Sequence, residues 1–267
     1  MLSLFVGFVL GTFIGVLAYH LGALSQSGAW TAALTGGLIF GLGGFPWAVL
    51  LLIFFISSSA LSRLFARRKA AVNEKFSKGS RRDWGQVLAN GGLGAMLAVV
   101  HTFLPGQTWP WVAFVGAMAA VNADTWATEL GVLNSAPPRL ITTGKVVEHG
   151  TSGGISPLGS LAALAGAALV GLGAILFPDG ANWAAVLAAA ALGGLAGSFF
   201  DSFLGATFQA IYYCPSCAKE TERHPYHVCG APTRLVRGWP WLNNDLVNFA
   251  CSVGGALAAV GLTAVLH

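Results

Sequence analysis

The stretch VNADTWATELG, residues 121–131, places two carboxylates in strongly apolar surroundings. The run WPWVAFVGAMAA at 109–120 precedes it, and another long apolar run begins near residue 156. A charged side chain at the centre of a bilayer costs at least about 2.5–3.5 kcal/mol on insertion scales. Asp124 and Glu129 on such a helix therefore indicate a polar cavity within a membrane protein.

The composition of the whole chain is typical of a membrane protein with several spans. Of its 267 residues, 55% are hydrophobic and 9% are charged, and the mean hydropathy is +0.69. Soluble domains have about 25% charged residues. The N-terminal apolar run has no basic start and no small-residue cleavage site, which predicts a retained helix rather than a signal peptide. The net charge of +4 lies in loops, and we expect no nucleic acid partner.

Apolar windows predict one all-α domain over residues 1–267, a polytopic bundle of about seven or eight transmembrane helices. The predicted spans are 3–21, 28–42, 46–62, 86–104, 110–133, 156–177, 183–211 and 245–266. Only GLGGFP separates the second span from the third, and the second is short. A re-entrant hairpin is therefore an alternative in this part of the chain.

Basic residues predict the orientation of these spans. They lie in three loops, 63–85, 134–155 and 212–243, and the first loop alone holds eight lysines and arginines. The connections LPGQT at 104–108 and FPDGAN at 177–182 hold none. By the positive-inside rule, the three large loops are predicted to be cytoplasmic and both termini to lie on the other side.

Four acids lie in or at the edge of predicted spans: Asp124, Glu129, Asp201 and Asp245. Asn122 lies seven residues before Glu129 and so shares its helical face, and Asn244 adjoins the fourth acid. Both amides are also predicted to contact the nucleotide or its phosphates. Carboxylate and amide oxygens are the hard ligands that Mg²⁺ prefers. We therefore predict that the four acids bind Mg²⁺ in one polar cavity. The alternative is that they cap helices or pair with loop arginines.

A weak internal similarity links two of these acids. Asp124 and Asp201 are each followed by a hydroxyl residue and an aromatic residue, in VNADTWATELG and in GSFFDSFLGATFQ at 197–209. Internal repeats are common in membrane transporters. The similarity is consistent with an ancient duplication or with chance in an apolar sequence.

Two glycine motifs in the loop 134–155 indicate phosphate binding. TTGK at 142–145 supplies Thr142, Gly144 and Lys145, and the second motif directly precedes a predicted helix. The residues of the second motif are Gly150, Thr151, Ser152, Gly153 and Gly154. Backbone N–H groups in glycine turns and at helix N-termini bind anions. The spacing is not that of a Walker loop, and a flexible loop with a Ser/Thr helix cap is the alternative.

The segment RRDWGQVLANGG, residues 81–92, is the third candidate for the phosphate or nucleotide site. Arg82 precedes the predicted helix, and Gln86 and Asn90 are four apart on one face of it. We predict that these three side chains contact the nucleotide. The alternative for the arginine is an ordinary positive-inside marker.

The loop 212–243 contains the sequence YYCPSCAKETERHPYHVCG at 212–230. A disulfide is disfavoured in a cytoplasmic loop, whereas two cysteines two apart with a later His and Cys are typical of structural zinc sites. The predicted Zn²⁺ ligands are Cys214, Cys217, His227 and Cys229, with His224 as the alternative histidine. Loose reduced thiols are the other interpretation.

Several strings together resemble one membrane protein family. They are RRDWGQVLANGG, NADTWATELG, GTSGGISPLGSLAALAG, GSFFDSFLGATFQ and WLNNDLVN, and they extend from about Lys69 to the C-terminus. They are similar to the family that includes animal transmembrane protein 19 and the plant phytyl-phosphate kinase of vitamin E synthesis. The resemblance implies a CTP- or NTP-dependent kinase that converts an isoprenyl monophosphate, such as phytyl or geranylgeranyl phosphate, to the diphosphate.

The same resemblance implies roles for individual residues. Asp124, Glu129, Lys145 and Asp201 would be catalytic, with Mg²⁺ bound between the acids and the nucleotide phosphates. Two alternatives are a nucleotidyltransferase that forms a CDP-lipid and an ion-coupled transporter. Acids near the membrane midplane on broken helices would favour transport, whereas acids near the cytoplasmic edge would favour phosphate chemistry.

Overall fold

The computed structural model describes residues 2–66, 74–177 and 182–266, and within these ranges the chain is an all-helical bundle with two very small sheets. The described ranges contain eight α-helices: α1 (Leu2–His20), α2 (Gln26–Leu38), α3 (Phe45–Leu64), α4 (Trp84–Phe103), α5 (Trp109–Gly131), α6 (Pro157–Ala174), α7 (Trp183–Thr207) and α8 (Asn244–Leu266). The predicted polytopic helical fold is confirmed. The basic residues Arg67, Arg68 and Lys69, and most of FPDGAN, lie outside the described residues.

Six of these helices are long and apolar enough to cross a membrane, namely α1, α3, α4, α6, α7 and α8. Helix α2 has 13 residues and continues as a π-helical turn, Ile39–Gly43. The combined length of the two helical segments is roughly 25 Å. The chain then turns at Gly44, where φ is +82°. Helix α5 has 23 residues but carries three of the polar side chains discussed above.

Helix α5 is the centre of the bundle and packs against α3, α4, α6, α7 and α8. Every residue from Pro110 to Ala123 is buried. Phe114 stacks on Trp47 of α3, with ring centroids 4.4 Å apart. The apolar run before the two acids is therefore packed against protein rather than lipid.

Glycines allow α5, α7 and α8 to meet at backbone contact distance. A Cβ on Gly255 of α8 would lie 2.7 Å from the carbonyl oxygen of Gly116 in α5. A Cβ on Gly197 of α7 would lie 2.5 Å from the Cβ of Ala120. Small residues at such crossings are the usual device of membrane helix packing.

The loops form two short sheets at one end of the bundle. Strand β1 (Arg139–Leu140) pairs with β2 (Gly154–Ile155). Strand β3 (Ile211–Cys214) is the centre of a second antiparallel sheet, between β4 (Lys219–Thr221) and β5 (Arg234–Arg237).

Contacts between the three basic loops show that they lie together. Lys75 Nζ lies 2.7 Å from Glu148 Oε2, and Ser152 Oγ donates to Glu222 Oε1 at 3.2 Å. The turn between α1 and α2 joins them, because Leu24 pairs with Arg82. The common end predicted for these loops is therefore observed, and its cytoplasmic orientation stays a prediction.

We predict that Gly255→Ala destabilises the protein, whereas Gly261→Ala on the same helix does not. The first added methyl group meets the backbone of α5, and overpacking of this kind costs about 1–3 kcal/mol. Nothing lies within 4 Å of a Cβ at Gly261, so only the better helix propensity of Ala acts there. Thermal unfolding in detergent measures both. Equal melting temperatures for the two variants would contradict the packing described here.

Candidate active site

A cavity of about 290 Å³ opens at the loop end of the bundle. It is lined by α4, α5, α6 and α7, by the first residues of α8, and by all three basic loops. Among the predicted site residues, those that line it are Arg82, Gln86, Asn90, Asp124, Glu129, Gly150, Thr151, Ser152, Gly153, Gly154, Asp201 and Asn244. Most of the sequence-predicted site therefore meets in one place.

Asp124 and Asp201, the two acids that the internal sequence similarity links, line this cavity from neighbouring helices. Asp124 of α5 lies 3.5 Å, Oδ1 to Oγ, from Ser198 of α7. Asp201, also on α7, has a buried Oδ2 with no hydrogen-bond partner among the described residues. Each acid lies about two helical turns before the end of its helix, roughly 10 Å in from the loops.

A third carboxylate, Glu222, comes from the segment just after β4. It is held by three donors: Gln209 Nε2 at 2.9 Å, Ser152 Oγ at 3.2 Å and the backbone N–H of Ser77 at 3.3 Å. Burial raises the pKa of the Glu222 carboxyl above its usual value, and these hydrogen bonds offset only part of the effect. This residue is absent from the sequence-based site, because its loop indicated only zinc ligands.

Glu129 lies in a different electrostatic environment. Its Oε1 accepts a hydrogen bond from Ser62 Oγ at 2.7 Å, and its charge interacts with the guanidinium of Arg82. That guanidinium donates to Ser58 Oγ at 2.8 Å and lies 5.2 Å from the ring centre of Phe54. A buried cation thus faces this acid, and a magnesium ligand role for Glu129 stays a prediction.

Lys78 balances two further carboxylates at the rim. Its Nζ lies 2.8 Å from Asp83 Oδ2 and forms a second ion pair with Asp245. Burial opposes the charge on Lys78, but hydrogen bonds to Asp245 and Asp83 outweigh it and raise the pKa of this ammonium group. Asp245 does not line the main cavity, and its carboxylate is engaged in this ion pair; its role as a magnesium ligand stays a prediction.

Some of the carboxylates in and around the cavity therefore have a basic partner, whereas others have no ion pair among the described residues. None of the ion pairs within the described ranges involves Asp124, Asp201 or Glu222. A buried carboxylate without a countercharge carries a desolvation penalty of several kcal/mol.

The donor set suits magnesium in a particular way. In the described part of the chain, no three carboxylates have oxygens within 4.8 Å of one another. Mg²⁺ typically binds through one or two carboxylates, waters and substrate phosphates rather than through an all-protein cage. Asp124 and Asp201 fit that mode.

The glycine loop 150–154 lines the same cavity as these acids and requires its glycines. Gly150 and Gly153 have φ values of +77° and +83°, a region that L side chains rarely adopt. A Cβ on Gly153 would also lie 2.5 Å from the backbone nitrogen of Ala206 in α7. The loop leads into α6, whose first turn is capped by Ser156 Oγ, 3.1 Å from Gly159 N. The loop and the first turn of α6 thus line the same cavity as the acids.

The other predicted phosphate motif points away. Leu140 N donates to Lys145 O at 2.8 Å, and Gly144 N donates to Leu140 O at 2.8 Å, which closes a tight turn. Thr142, Gly144 and Lys145 are exposed on this turn and do not line the cavity. The cations that do line it are Lys78 and Arg82.

Asn122 does not face the cavity either. It is fully buried, where its Oδ1 accepts from Ser57 Oγ of α3 at 2.9 Å and its Nδ2 donates to Gly166 O of α6 at 2.8 Å. Hydrogen bonds of this kind hold membrane helices together. The seven-residue spacing from Glu129 gave the right helical face, but a position two turns deeper lies within packed protein.

The amide side chains of α4 reach the cavity but are engaged locally. Gln86 closes a capping box with Asp83, since its Oε1 accepts from Asp83 N at 3.1 Å while its own N–H donates to Asp83 Oδ1 at 3.0 Å. Asn90 Nδ2 donates to Gln86 O at 2.9 Å. Their structural role is clear, and the nucleotide contact stays a prediction.

The predicted zinc ligands lie together, outside the cavity. One ligand atom from each of Cys214, Cys217, His227 and Cys229 lies within 4.8 Å of all the others. His224 is not a member, because its ring stacks on Tyr212 at 4.4 Å between centroids. The structure therefore favours His227 over the alternative histidine.

Comparison with known proteins gives one family and several relatives. Residues 9–256 match the family described as Integral membrane protein DUF92. The chain is 36% identical to Protein PGR of Arabidopsis thaliana over 263 residues, 90% of this chain and 89% of the relative. It is 34% identical to an uncharacterized membrane protein of Methanocaldococcus jannaschii, over 78% of this chain and 84% of the relative. It is 28% identical to Protein VTE6, chloroplastic, of Arabidopsis thaliana, over 89% of this chain and 64% of the relative. No solved structure matches.

We predict that Asp201→Asn and Asp83→Asn change stability in opposite directions when divalent cations are removed. Asn at 201 replaces a buried carboxyl group, which has no ion-pair partner among the described residues, with a neutral amide, and it should raise the free energy of unfolding by up to about 3 kcal/mol. Asn at 83 keeps the helix cap but loses the ion pair to Lys78, a loss of up to about 1 kcal/mol. Thermal unfolding with a chelator compares them. A lower melting temperature for Asp201→Asn would contradict the charge balance described for the cavity.

Proposed function

This chain belongs to the DUF92 family of integral membrane proteins, and we propose that it is a magnesium-dependent kinase that uses CTP, or another nucleoside triphosphate, to convert an isoprenyl monophosphate to the diphosphate. The observation that carries the proposal is the cavity itself. Three carboxylates that have no ion-pair partner among the described residues share this cavity with a glycine loop and a helix N-terminus. Acids for a metal and amides for phosphates are the parts that phosphoryl transfer requires.

The substrate class comes from the family resemblance. The relatives include Protein VTE6 of Arabidopsis thaliana, and the plant phytyl-phosphate kinase resembles this chain through NADTWATELG, GTSGGIS and GSFFDSF. That resemblance supports an isoprenyl monophosphate as the acceptor. The bilayer supplies such a lipid directly, with its tail among the helices and its phosphate at the loop end.

The reaction needs little covalent chemistry from the protein. A phosphate oxygen of the lipid attacks the terminal phosphorus of CTP, the bond from that phosphorus to the bridging oxygen breaks, and CDP leaves. The attacking group is already an anion, so no strong base is required. Asp124 and Asp201 would hold Mg²⁺, which neutralises triphosphate charge. Arg82, Lys78 and the 150–154 loop would position the phosphates, because catalysis here is mainly positioning and charge neutralisation.

The position of the cavity supports a reaction at the membrane surface. An exposed aromatic stack lies beside it, formed by Phe208, Trp239 and Trp241. The ring centroids of Phe208 and Trp239 are 4.9 Å apart, and those of Trp239 and Trp241 are 5.3 Å apart. Aromatic residues of this kind concentrate at the membrane–water interface. The basic loops at the same end support a cytoplasmic location.

We predict that purified protein transfers label from γ-labelled CTP to phytyl or geranylgeranyl monophosphate when Mg²⁺ is present. The product is the lipid diphosphate, separated by thin-layer chromatography, and a chelator should abolish its formation. CTP labelled in the base is the control, because a kinase leaves that label in CDP. Base label in the lipid would instead identify a nucleotidyltransferase, and label in neither form would refute both enzyme functions.

We also predict that Asp124→Asn lowers the turnover rate by about 100-fold or more, as expected when a group that positions charge in the transition state is lost. Glu220→Gln is the matched control, since it removes a carboxylate that is exposed on β4. Its rate should equal that of the wild type. Unchanged turnover in Asp124→Asn, with an altered ion flux in vesicles, would favour the transporter.

A further inference from the structure

We infer that the four-residue cluster Cys214, Cys217, His227 and Cys229 binds a structural Zn²⁺, and that this ion orders the hairpin that delivers Glu222 to the cavity. The inference does not depend on which reaction the cavity performs. It rests on the geometry of the cluster and on its place in the small sheet.

The spacing of the ligand atoms matches a tetrahedral site. Cys214 Sγ and Cys229 Sγ are 3.6 Å apart, and His227 Nδ1 is 3.3 Å from Cys229 Sγ. Ligand atoms around a tetrahedral zinc, at Zn–S of 2.3 Å and Zn–N of 2.0–2.1 Å, lie about 3.6–3.8 Å from one another. The sulfur atoms are too far apart for a disulfide, whose S–S bond is about 2.05 Å. The cluster therefore has the dimensions of a metal site.

The identity of the ligands selects the metal. Three thiols and one imidazole are soft to borderline ligands, which suit zinc and disfavour magnesium or calcium. Four protein ligands leave no open position for water or substrate, and closed sites of this type are structural. The ion proposed here is thus separate in chemistry and in role from the magnesium proposed in the cavity.

The cluster joins the two parts of the segment that contains Glu222. Cys214 ends β3, and Cys217 lies in the turn that leads to β4. His227 and Cys229 lie between β4 and β5. Glu222 lies between these two ligand pairs, five residues after Cys217 and five before His227. A metal bound by both pairs would close a loop around it.

The sheet is small, and its buried side chains come mainly from β3. Its three strands have four, three and four residues, and three residues of β5 are exposed. Sheets of this size need a packed face or another constraint to be stable. Metal binding supplies folding free energy directly in such small units.

The ordered hairpin in turn contacts the other loops. The backbone N–H of Glu222 donates to Lys75 O at 2.8 Å, while its side chain accepts from Ser77, Ser152 and Gln209. Loss of the metal would therefore free the carboxylate and loosen the loops that line the cavity. Glu222 is a positioning residue in this account, held by the hairpin and holding two loops.

The test uses the full chain purified in detergent and two matched pairs of variants. His227→Phe removes a ligand, whereas His224→Phe changes the neighbouring histidine and keeps an aromatic ring against Tyr212. Cys217→Ala removes a ligand, whereas Cys251→Ala changes the buried cysteine of α8. Zinc is measured by mass spectrometry of the metal, and loop order is measured by trypsin cleavage after Lys219 and Arg223.

We expect about one zinc ion per chain in the wild type, His224→Phe and Cys251→Ala, and an approximately tenfold or greater loss in His227→Phe and Cys217→Ala. The zinc-poor variants should be cleaved faster at the hairpin, and a chelator should make the wild type behave like them. Cobalt added to chelated wild type should give the visible absorption of a tetrahedral thiolate site, a readout that needs no variant. Wild type without zinc and without this cobalt spectrum would overturn the site, and equal trypsin cleavage with and without metal would overturn its role in positioning Glu222.

Discussion

The close approach of α5 to α7 and α8 is the constraint on which the rest of the structure depends. Gly116, Gly197 and Gly255 bring the three backbones together, and no larger side chain fits between them. In lipid there is little hydrophobic drive between helices, so such van der Waals contact supplies much of the association. The same crossing fixes the helical faces, and it is why Asp124 and Asp201 point into one cavity.

The second constraint is the charge within that cavity. Glu129 faces Arg82, and Asp83 and Asp245 share Lys78, but Asp124, Asp201 and Glu222 have no such partner among the described ion pairs. Retaining three such acids reduces stability unless something binds them. Ligand binding to the folded state restores that stability by mass action. The magnesium ion and the anionic substrate proposed above would compensate this imbalance.

Sequence patterns predicted most of the helices and part of the candidate site, and the difference between the two has a physical cause. The length of an apolar run is a local property, so six of the eight helices in the described residues can be recognised from it as spans. Helix α2 has only 13 residues, and α5 carries three polar side chains, so hydropathy identifies these two less clearly. Asp124 and Asp201 could be identified because a charge within such a run requires a compensating environment. The direction in which a loop side chain points depends on the tertiary structure rather than on the neighbouring sequence. Lys145 lies on a tight turn outside the cavity, which the composition of the loop does not predict. Glu222 enters the cavity only through the tertiary position of its hairpin, so no pattern around it indicates the role.

The course of the helices bears on the choice between group transfer and transport. Transporter sites commonly lie near the bilayer midplane, where broken helices expose backbone to the ion. Helices α5 and α7 run as continuous α-helix past Asp124 and Asp201. The π-helical turn Ile39–Gly43 interrupts the α-helical geometry between α2 and α3, and none of its residues lines the cavity. The acids instead share their cavity with three polar loops. A site of this kind at the loop end of the bundle suits the proposed phosphate chemistry better than it suits a dehydrated cation in transit.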